Sequence, residues 1–554
     1  MVYAVVGAWL LLAVLVVTTW GRIATDRRWR TIVLVLVLAF SLAHQLLFAT
    51  ITEDAYIAFR YAGNIADGNG PVFNAGERVE GYANFLWLVL ISLPKAAFGV
   101  GVEGAAVALG VVAALGSVLL TYFLVNRIAG LALPEGAEPR PALGIAAAML
   151  TAGASGLAVY GPSGGEMPLF VLLLLSLCYA LAARRPVVAG VLVAFAVMTR
   201  PDGLVAALLA GLWLVFAAAR GRHSWWAPAG YALGALVFLA PWTAWRVTYY
   251  HHLLPTAVDA RLSGTFGTRV AEGWHYLSDF SLVHQGFLLL ALVAAVALLL
   301  RRGGPDREAR SVIWLLFAVA AGLAVFAVLL GGDGSLSWRQ LAPLPPLLAV
   351  ASVSAYGVLT AVATAKPSPR PRAWPAGTRL VPVAAAGLAG IAVLVSMFSP
   401  EVLDRVREWQ TRSAQLAEIG DWLADYLPPG SVISASSPGA LSYRMGAQLL
   451  VVDVLGQTDD HIAREGRRER GVVTDYDYVV NLRRPTVAVP TGTGYTDGQR
   501  CGIDPVYAGK YQVATFQREG TSSWVAVYPR TEQAQTVVDD LDRSPEFRHV
   551  PCPS

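Results

Sequence analysis

Apolar stretches long enough to cross a membrane recur throughout residues 1–398 of this chain, with short polar loops between them. A helix needs about 20 mostly apolar residues to span the hydrocarbon core, and fewer where other helices bury it. With 55% hydrophobic and 14% charged residues and a mean hydropathy of +0.53, the chain is too apolar for a soluble globule. We therefore predict an α-helical polytopic membrane protein. Its twelve predicted spans lie near residues 3–20, 31–49, 104–125, 142–160, 167–183, 187–199, 203–218, 228–242, 285–301, 312–330, 341–363 and 379–398.

The positive charges predict the orientation of these spans, because Arg and Lys near span ends stay on the cytoplasmic side. They gather in alternate loops: Arg22 to Arg30, Arg127 and Arg140, Arg184 and Arg185, Arg220 and Arg222, Arg301 to Arg310, and Lys366 to Arg379. Both termini are then outside a plasma membrane. The first run, Val2 to Trp20, has no basic segment before it and predicts a retained span. A net charge of +4 spread over small clusters argues against a nucleic-acid partner.

Residues 84–101 are apolar enough to be a further span, but a crossing there would break the alternation of basic loops. We therefore predict an interfacial or re-entrant helix on the outer surface, with Trp87 and Lys95 near the lipid headgroups. This stretch ends a long first outer loop, about residues 50–103.

From residue 399 the apolar runs shorten to strand length, with Gly, Pro and charged residues between them. This pattern predicts an outer α/β soluble domain, 399–554, that follows a membrane domain, 1–398, and opens with an amphipathic helix around 401–426. Cys501 and Cys552 lie in it; they either pair in an oxidising compartment or remain free thiols. The predicted strands are GSVISASS, QLLVVDVLG, YDYVVNL, PTVAVP and SSWVAVYP.

The first outer loop carries two carboxylates, Glu53 and Asp54, directly after the second span. A carboxylate held at this place is able to act as a general base on an acceptor hydroxyl, although Asp before a helix is also a common N-cap. The following helical stretch presents Tyr56 and Arg60 to a phosphate or a sugar.

Further charged residues stand at the outer ends of other spans. Each has a plain structural explanation: a helix-dipole partner, a salt bridge that fixes a turn, a membrane anchor, or a surface turn. Their common side of the membrane favours one substrate-binding site. They are Glu166 in SGGEMPLF, Arg200 and Asp202 in MTRPDGL, Arg246 and His251 in WRVTYYHHLL, and Asp333 and Arg339 in GGDGSLSWRQ.

This layout resembles the GT-C glycosyltransferases, multispan enzymes that use polyprenyl-phosphate sugars outside the membrane. More narrowly, the chain is similar to the terminal arabinofuranosyltransferase family of mycobacteria and their relatives. The matching motifs run in order from about residue 50 to 465. They are DAYIAFRYAGNIADGNGPVFNAGERVEGY, SGGEMPLF, TRPDG, YYHHLLPTAVDARL, GGD and VVDVLGQTDDHIARE.

The resemblance implies transfer of β-1,2-linked arabinofuranose from decaprenylphosphoryl arabinose to the arabinan of arabinogalactan or lipoarabinomannan. Asp54 would be the base of an inverting reaction, and Glu53 would tune or replace it. Arginines and His251 would stabilise the leaving phosphate, while the outer carboxylates would orient sugar hydroxyls or hold a divalent cation, which such a reaction does not strictly require. The sequence departs from the family pattern at Glu53, at Gly165 and in LLPTA.

Three other functions fit parts of the pattern. A mannosyl or other pentosyl transferase would use the same type of donor. A polyprenyl-glycan transporter would need polar residues at mid-membrane and paired halves, neither of which is visible. A scaffold of a cell-wall complex would use the same loops only for docking.

Overall fold

The computed structural model describes residues 2–133, 141–256, 258, 265–300, 307–333, 338–364, 377–398, 400–469, 472–490 and 494–553. The basic residues Arg140, Arg301, Arg302, Lys366, Arg370 and Arg372 lie outside these ranges. The described chain divides into two compact units. The first unit comprises residues 1–49, 107–243 and 265–406, and the second comprises residues 50–106, 244–264 and 407–554.

Helices occupy every predicted span. The helices up to residue 250 are α1 (Val2–Thr25), α2 (Arg27–Leu47), α3 (Glu53–Ala66), α4 (Phe85–Phe98), α5 (Val102–Leu131), α6 (Ala142–Ala152), α7 (Ser155–Tyr160), α8 (Met167–Ala182), α9 (Pro186–Thr199), α10 (Gly203–Ala219) and α11 (Trp226–Tyr250). They are followed by α12 (Phe266–Val283), α13 (Gln285–Leu300), α14 (Arg307–Leu329), α15 (Leu344–Thr364) and α16 (Gly377–Phe398).

The lengths of these helices differ from the prediction of twelve full spans. Within the described ranges, six helices are long and apolar enough to cross a membrane, or up to seven if the α12–α13 pair, bent by 89°, is one span. The predicted span 142–160 is two helices, α6 and α7, which meet at Gly153 and Ala154. Gly153 packs closely against Ala389: a Cβ added at residue 153 would lie 2.9 Å from the carbonyl oxygen of Ala389. The shorter helices α6, α8, α9 and α10 depend on burial in the bundle, and all eleven residues of α6 are buried.

Helix α4 belongs to the second unit and has 14 residues. That length corresponds to about 21 Å of helix, less than the hydrocarbon thickness of a bilayer, which supports the interfacial interpretation. Trp87 is 1% exposed, so its indole packs in the protein interior, and its predicted depth near the headgroups stays a prediction. Lys95 is partly exposed and pairs with Asp67 at 2.6 Å.

The soluble part opens with α17 (Pro400–Tyr426), in agreement with the predicted amphipathic helix. Its six-stranded sheet has the order β2-β1-β5-β7-β6-β8, in which β1 is parallel to β2 and β5 and the remaining pairs are antiparallel. A separate hairpin pairs β3 (Arg467–Glu469) with β4 (Val472–Thr474). The sheet strands are β1 (Val432–Ala435), β2 (Leu450–Asp453), β5 (Val487–Ala488), β6 (Ala514–Arg518), β7 (Trp524–Pro529) and β8 (Phe547–His549). The short helices α18 (Gly439–Met445), α19 (Asp460–Glu465) and α20 (Ala534–Leu541) complete it.

One predicted strand is wrong: YDYVVNL forms a π-helical turn at Tyr478–Arg483. Asp475 caps this turn, because its carboxylate accepts the Tyr478 backbone N–H at 3.0 Å. Of the two alternatives for Cys501 and Cys552, the structure has the disulfide bond.

One end of the first unit collects loops that were predicted to be cytoplasmic. Arg184, after α8, forms an ion pair with Glu308, at the start of α14. Electrostatic interactions also connect Glu308 with Arg127 and His223. The loops after α5, α8 and α10 and the loop before α14 therefore share one end of the bundle, as the alternation of charge predicts.

Candidate functional site

The opposite ends of α8 and α9 carry the first group of predicted site residues. Arg200 follows α9, and its Nη1 donates to Glu166 Oε1 at 2.8 Å, just before α8 begins. The same guanidinium donates to both oxygens of Asp202, with Nε–Oδ1 at 3.0 Å and Nη2–Oδ2 at 3.1 Å. Burial alone would lower the pKa of Arg200, but Asp202 and Glu166 outweigh it and raise that pKa. The turn-fixing salt bridge is therefore present, and Glu166 extends it between two helices.

A second charged pair of the first unit forms around the GGD motif. Arg339 Nε lies 3.2 Å from Asp333 Oδ2, and Asp333 Oδ1 accepts the Tyr276 hydroxyl at 2.8 Å. Gly332 has a φ of +72°, and a Cβ there would lie 2.5 Å from the Tyr276 ring, so glycine is required by both conformation and space. The charge of Arg339 also acts on Arg200. The two clusters are therefore neighbours at one end of the bundle.

The sequence interpretation missed Tyr276 and a buried histidine nearby. His284 lies at the sharp bend between α12 and α13, stacks on Phe280 at 4.2 Å, and has Nε2 3.3 Å from the Ser155 hydroxyl. Trp338 packs edge-on against the imidazole at 5.8 Å. A lone His at the start of an apolar run was the available signal for this cluster.

In the second unit, the two carboxylates at the start of α3 have different environments. Asp54 is exposed, whereas Glu53 is half-buried against the N-terminus of α18. Glu53 Oε1 accepts the Ala440 N–H at 3.1 Å. This close approach requires glycine at residue 439, because a Cβ on Gly439 would overlap the Glu53 backbone. Burial raises the pKa of Glu53 to about 7, since the Ala440 N–H only partly offsets the desolvation and the Asp54 charge adds to it.

Arg60, predicted to bind substrate, has a buried position inside the second unit. The residue is 3% exposed. Its guanidinium donates to the carbonyl oxygens of Phe73 at 2.8 Å and Leu449 at 2.8 Å, to Asn74 Oδ1 at 3.2 Å, and to the Ser442 carbonyl. These internal acceptors replace the predicted phosphate or sugar, so we assign Arg60 to the structure of this unit.

Tyr56 is also largely buried, and it packs against Phe59 and Tyr443 at ring distances of 5.4 and 5.8 Å. Burial raises the pKa of Tyr56 to about 12, so its hydroxyl keeps its proton and remains a hydrogen-bond donor.

Arg246, near the end of α11, forms an ion pair with the buried Glu80 of the GERVEGY motif and donates to the Leu253 carbonyl at 2.7 Å. Glu80 was not predicted as a partner, because 166 residues separate the two. His251 is exposed and has a φ of +62°, so the chain turns sharply at the end of α11.

Three of the resembling motifs converge in the second unit. The Thr256 hydroxyl of YYHHLLPTA contacts the carbonyl oxygens of Glu80 at 3.0 Å and Gln457 at 2.7 Å. Asp453 opens the VVDVLGQTDD loop by accepting the N–H groups of Leu455 and Thr458 at 3.0 and 2.9 Å. These long-range contacts join residues that are up to 201 positions apart.

The predicted site residues thus form two sets. Glu166, Arg200, Asp202, Asp333 and Arg339 come together in the first unit, and Glu53, Asp54, Tyr56, Arg60, Arg246 and His251 belong to the second. Among the residues that the structure describes, no group of three or more His, Cys, Asp or Glu side chains is arranged to hold a metal ion.

The architecture is the GT-C fold. It matches ArnT from Cupriavidus metallidurans bound to undecaprenyl phosphate with a TM-score of 0.54 and 14% identity, over 92% of this chain and 99% of that chain. The predicted fold class is therefore confirmed: a GT-C membrane domain with a C-terminal domain built on a sheet.

Two curated relatives confirm the narrower resemblance. The chain is 29% identical over 276 residues to a terminal beta-(1->2)-arabinofuranosyltransferase of Corynebacterium glutamicum. The matched region covers 45% of this chain and 38% of the relative. It is 28% identical over 338 residues to the enzyme of the same name from Mycobacterium tuberculosis, which covers 55% of this chain and 52% of that one. The matches therefore span about half or less of these relatives. The family described as Domain of unknown function (DUF8728) matches residues 404–528.

Proposed function

We propose that this protein is a glycosyltransferase that moves arabinofuranose from decaprenylphosphoryl arabinose to cell-wall arabinan, with inversion at the anomeric carbon. The observation that carries the proposal is the assembly of the arabinofuranosyltransferase-like motifs. Segments near residues 53–82, 246–256 and 453–465 lie far apart in sequence and pack into one unit through Arg246–Glu80 and Thr256–Gln457 contacts. The sequence similarity to two terminal arabinofuranosyltransferases supports the same activity.

The proton of the acceptor hydroxyl goes to Asp54. Its carboxylate is exposed on the first turn of α3, whereas the neighbouring Glu53 is committed to the Ala440 N–H. This difference in environment favours Asp54 as base and Glu53 as the group that holds the start of α3. The predicted alternative, in which Glu53 replaces Asp54 as base, would use its Oε2, which is buried, because Oε1 accepts the Ala440 N–H.

The departing phosphate requires positive charge close to it. Arg200 and Arg339 are fixed by carboxylates, so their guanidinium planes are pre-oriented before a donor arrives. Arg matches phosphate oxygens in a bidentate manner, and a polyprenyl monophosphate suits this geometry. Arg246 and His251 supply further positive or proton-donating groups near the first outer loop. Glu166, Asp202 and Asp333 orient sugar hydroxyls through further lone pairs of their carboxylate oxygens, since each oxygen accepts more than one hydrogen bond; both oxygens of Asp202 already accept from Arg200.

The reaction takes place on the outer face of a plasma membrane in this proposal. The Cys501–Cys552 disulfide supports an oxidising compartment for the soluble domain. The shared end of the Arg127, Arg184 and His223 loops supports the alternation on which the orientation depends.

The decisive experiment is a transfer assay with the purified full-length protein, a synthetic arabinan acceptor, and arabinose and mannose donors side by side. Asp54→Asn should lower turnover by roughly 10²- to 10⁴-fold without changing donor binding. Asp67→Asn, at the other end of α3, is the matched control and should transfer at the normal rate. If the protein prefers the mannose donor, the proposed transferred sugar, arabinofuranose, is wrong. Normal transfer by Asp54→Asn would show that Asp54 is not the base.

A further inference from the structure

A cavity of about 540 Å³ opens in the second unit, apart from the charged pairs described above. Its walls come from α3, the first turn of α5, the second half of α17, α18, and the segment before β8. Ligand sites commonly enclose about 300–1,000 Å³, so this cavity has room for a short oligosaccharide segment.

The charge of the cavity excludes an anionic ligand. Five carboxylates line it, from Glu103, Glu418, Asp421, Asp425 and Glu546. The lining guanidinium, Arg444, is bound to Asp421, with Nε–Oδ1 at 2.9 Å and Nη2–Oδ2 at 2.7 Å, and Arg518 pairs with Glu418 at 2.6 Å. With five carboxylates and these two guanidinium groups, the cavity keeps a net negative charge. A phosphate or a lipid-phosphate donor would be repelled, so the cavity is not a second donor site.

Aromatic side chains supply the rest of the binding chemistry. Tyr56, Trp422 and Tyr426 line the same cavity. Trp422 is held in place because its Nε1 donates to the Leu541 carbonyl at 3.1 Å and its ring packs on Phe516 at 4.8 Å. Because Trp422 is 3% exposed, it forms the base of the cavity, and the partly exposed Tyr426 offers the ring that packs on the C–H face of a sugar. Carboxylates accept hydrogen bonds from the sugar hydroxyls.

The cavity is distinct from the place where Asp54 acts. Tyr56 follows Asp54 by two positions in α3, and residues at i and i+2 of a helix do not face each other. Asp54 is not among the residues that line the cavity. A polymer that reaches this cavity is therefore held through sugars other than the one that carries the reacting hydroxyl.

We propose that this cavity is a subsite for a neutral, polyhydroxylated glycan, and that it holds an inner stretch of the acceptor chain. The identity of the glycan as arabinan rests on the proposed function. A remote subsite of this kind favours long acceptors over short ones, because each additional sugar that it binds adds affinity without changing the chemistry at the reacting hydroxyl.

Two cavity variants and one control test this proposal in the full-length protein. Asp425→Asn removes an exposed carboxylate from the cavity, and Tyr426→Ala removes a ring. Glu408→Gln removes an exposed carboxylate from the same helix outside the cavity. Each variant is first checked for an unchanged melting temperature.

Binding is measured without donor, using a linear arabino-octaose and an arabinobiose. Asp425→Asn and Tyr426→Ala should each weaken octaose binding about tenfold or more, leave biose binding unchanged, and raise KM for the octaose at constant kcat. Glu408→Gln should match the wild type. Equal octaose affinity in the wild type and all three variants would overturn the subsite. The subsite would also be overturned if the cavity variants changed the binding of spermine or Ca²⁺ and left octaose binding unchanged.

The two proposals fail in different ways. Variant-sensitive octaose binding by a protein that transfers no arabinose would refute the proposed function and keep the subsite. Arabinose transfer with variant-insensitive octaose binding would keep the function and refute the subsite.

Discussion

Replacing Arg60 by Met separates a structural role from a substrate-binding role for this residue. Met has a similar length and no charge, so the change removes the guanidinium while it keeps much of the volume. The substitution removes the guanidinium donor from the carbonyls of Ser442 and Leu449, whereas Phe73 O and Asn74 Oδ1 each keep a second donor, from Asn64 and from the Val451 backbone.

The expected cost follows from the burial of these groups. A net hydrogen bond to a charged group contributes about 1.5–3 kcal/mol, and the desolvation of the buried charge offsets part of the sum. A buried acceptor that loses its donor costs about 1–3 kcal/mol, so we expect the substitution to cost about 3–5 kcal/mol in total. For a unit of this size that corresponds to a fall of roughly 10 °C in melting temperature.

The assay is thermal unfolding of the detergent-solubilised protein together with limited proteolysis of the soluble domain. Arg548→Met, an exposed change in β8, is the control and should alter stability by no more than about 0.5 kcal/mol. If Arg60→Met melts like the control while KM for the donor rises, the guanidinium contacts substrate and the structural assignment is wrong.

Three further changes probe other contacts. The pKa of Glu53 is raised from 4.5 to about 7, so the folded protein holds this proton more tightly than the unfolded chain does. The melting temperature should therefore fall as pH rises from 4.5 through 7. Glu53→Gln should remove this part of the pH dependence of the melting temperature. Gly332→Ala should push the Tyr276 ring away and cost about 1–3 kcal/mol together with most activity, seen by melting and transfer assays; unchanged values would refute the packing argument. Cys501→Ser should lower stability by about 2–4 kcal/mol and make melting insensitive to reductant, whereas persistent sensitivity would show that the bond to Cys552 is not responsible.

Sequence patterns predicted the positions of the helices better than their lengths. Apolar runs mark burial in lipid or protein equally well, so α6 and α9 look like spans although the bundle encloses much of their surface. Helix α12 was missed because its sequence, FGTRVAEGWHYLSDFSLV, contains charged residues within an otherwise amphipathic pattern. Strand β6 was missed because ATFQR contains Thr, Gln and Arg and therefore lacks the apolar run that marked the predicted strands.

The site divides in the same way between local and distant contacts. The Arg200–Asp202 pair was foreseeable because two positions of a tight turn separate the partners. Glu166 joins that pair across 34 residues, and Glu80 joins Arg246 across 166, so only the tertiary fold brings them together. Charge at a span end identifies a residue with a partner, but it does not identify the partner.

The composition of the second unit from three separate chain segments has a consequence for biosynthesis. Arg60 donates to Ser442, which is synthesised 382 residues later. At about 5–20 residues per second the ribosome needs roughly 20–80 s to deliver that carbonyl. Throughout this interval the loop of residues 50–103 has a cationic side chain that has not yet reached its final acceptors. A chain terminated before residue 407 would leave the loop in this immature state permanently, and quality-control proteases would have an extended segment to recognise.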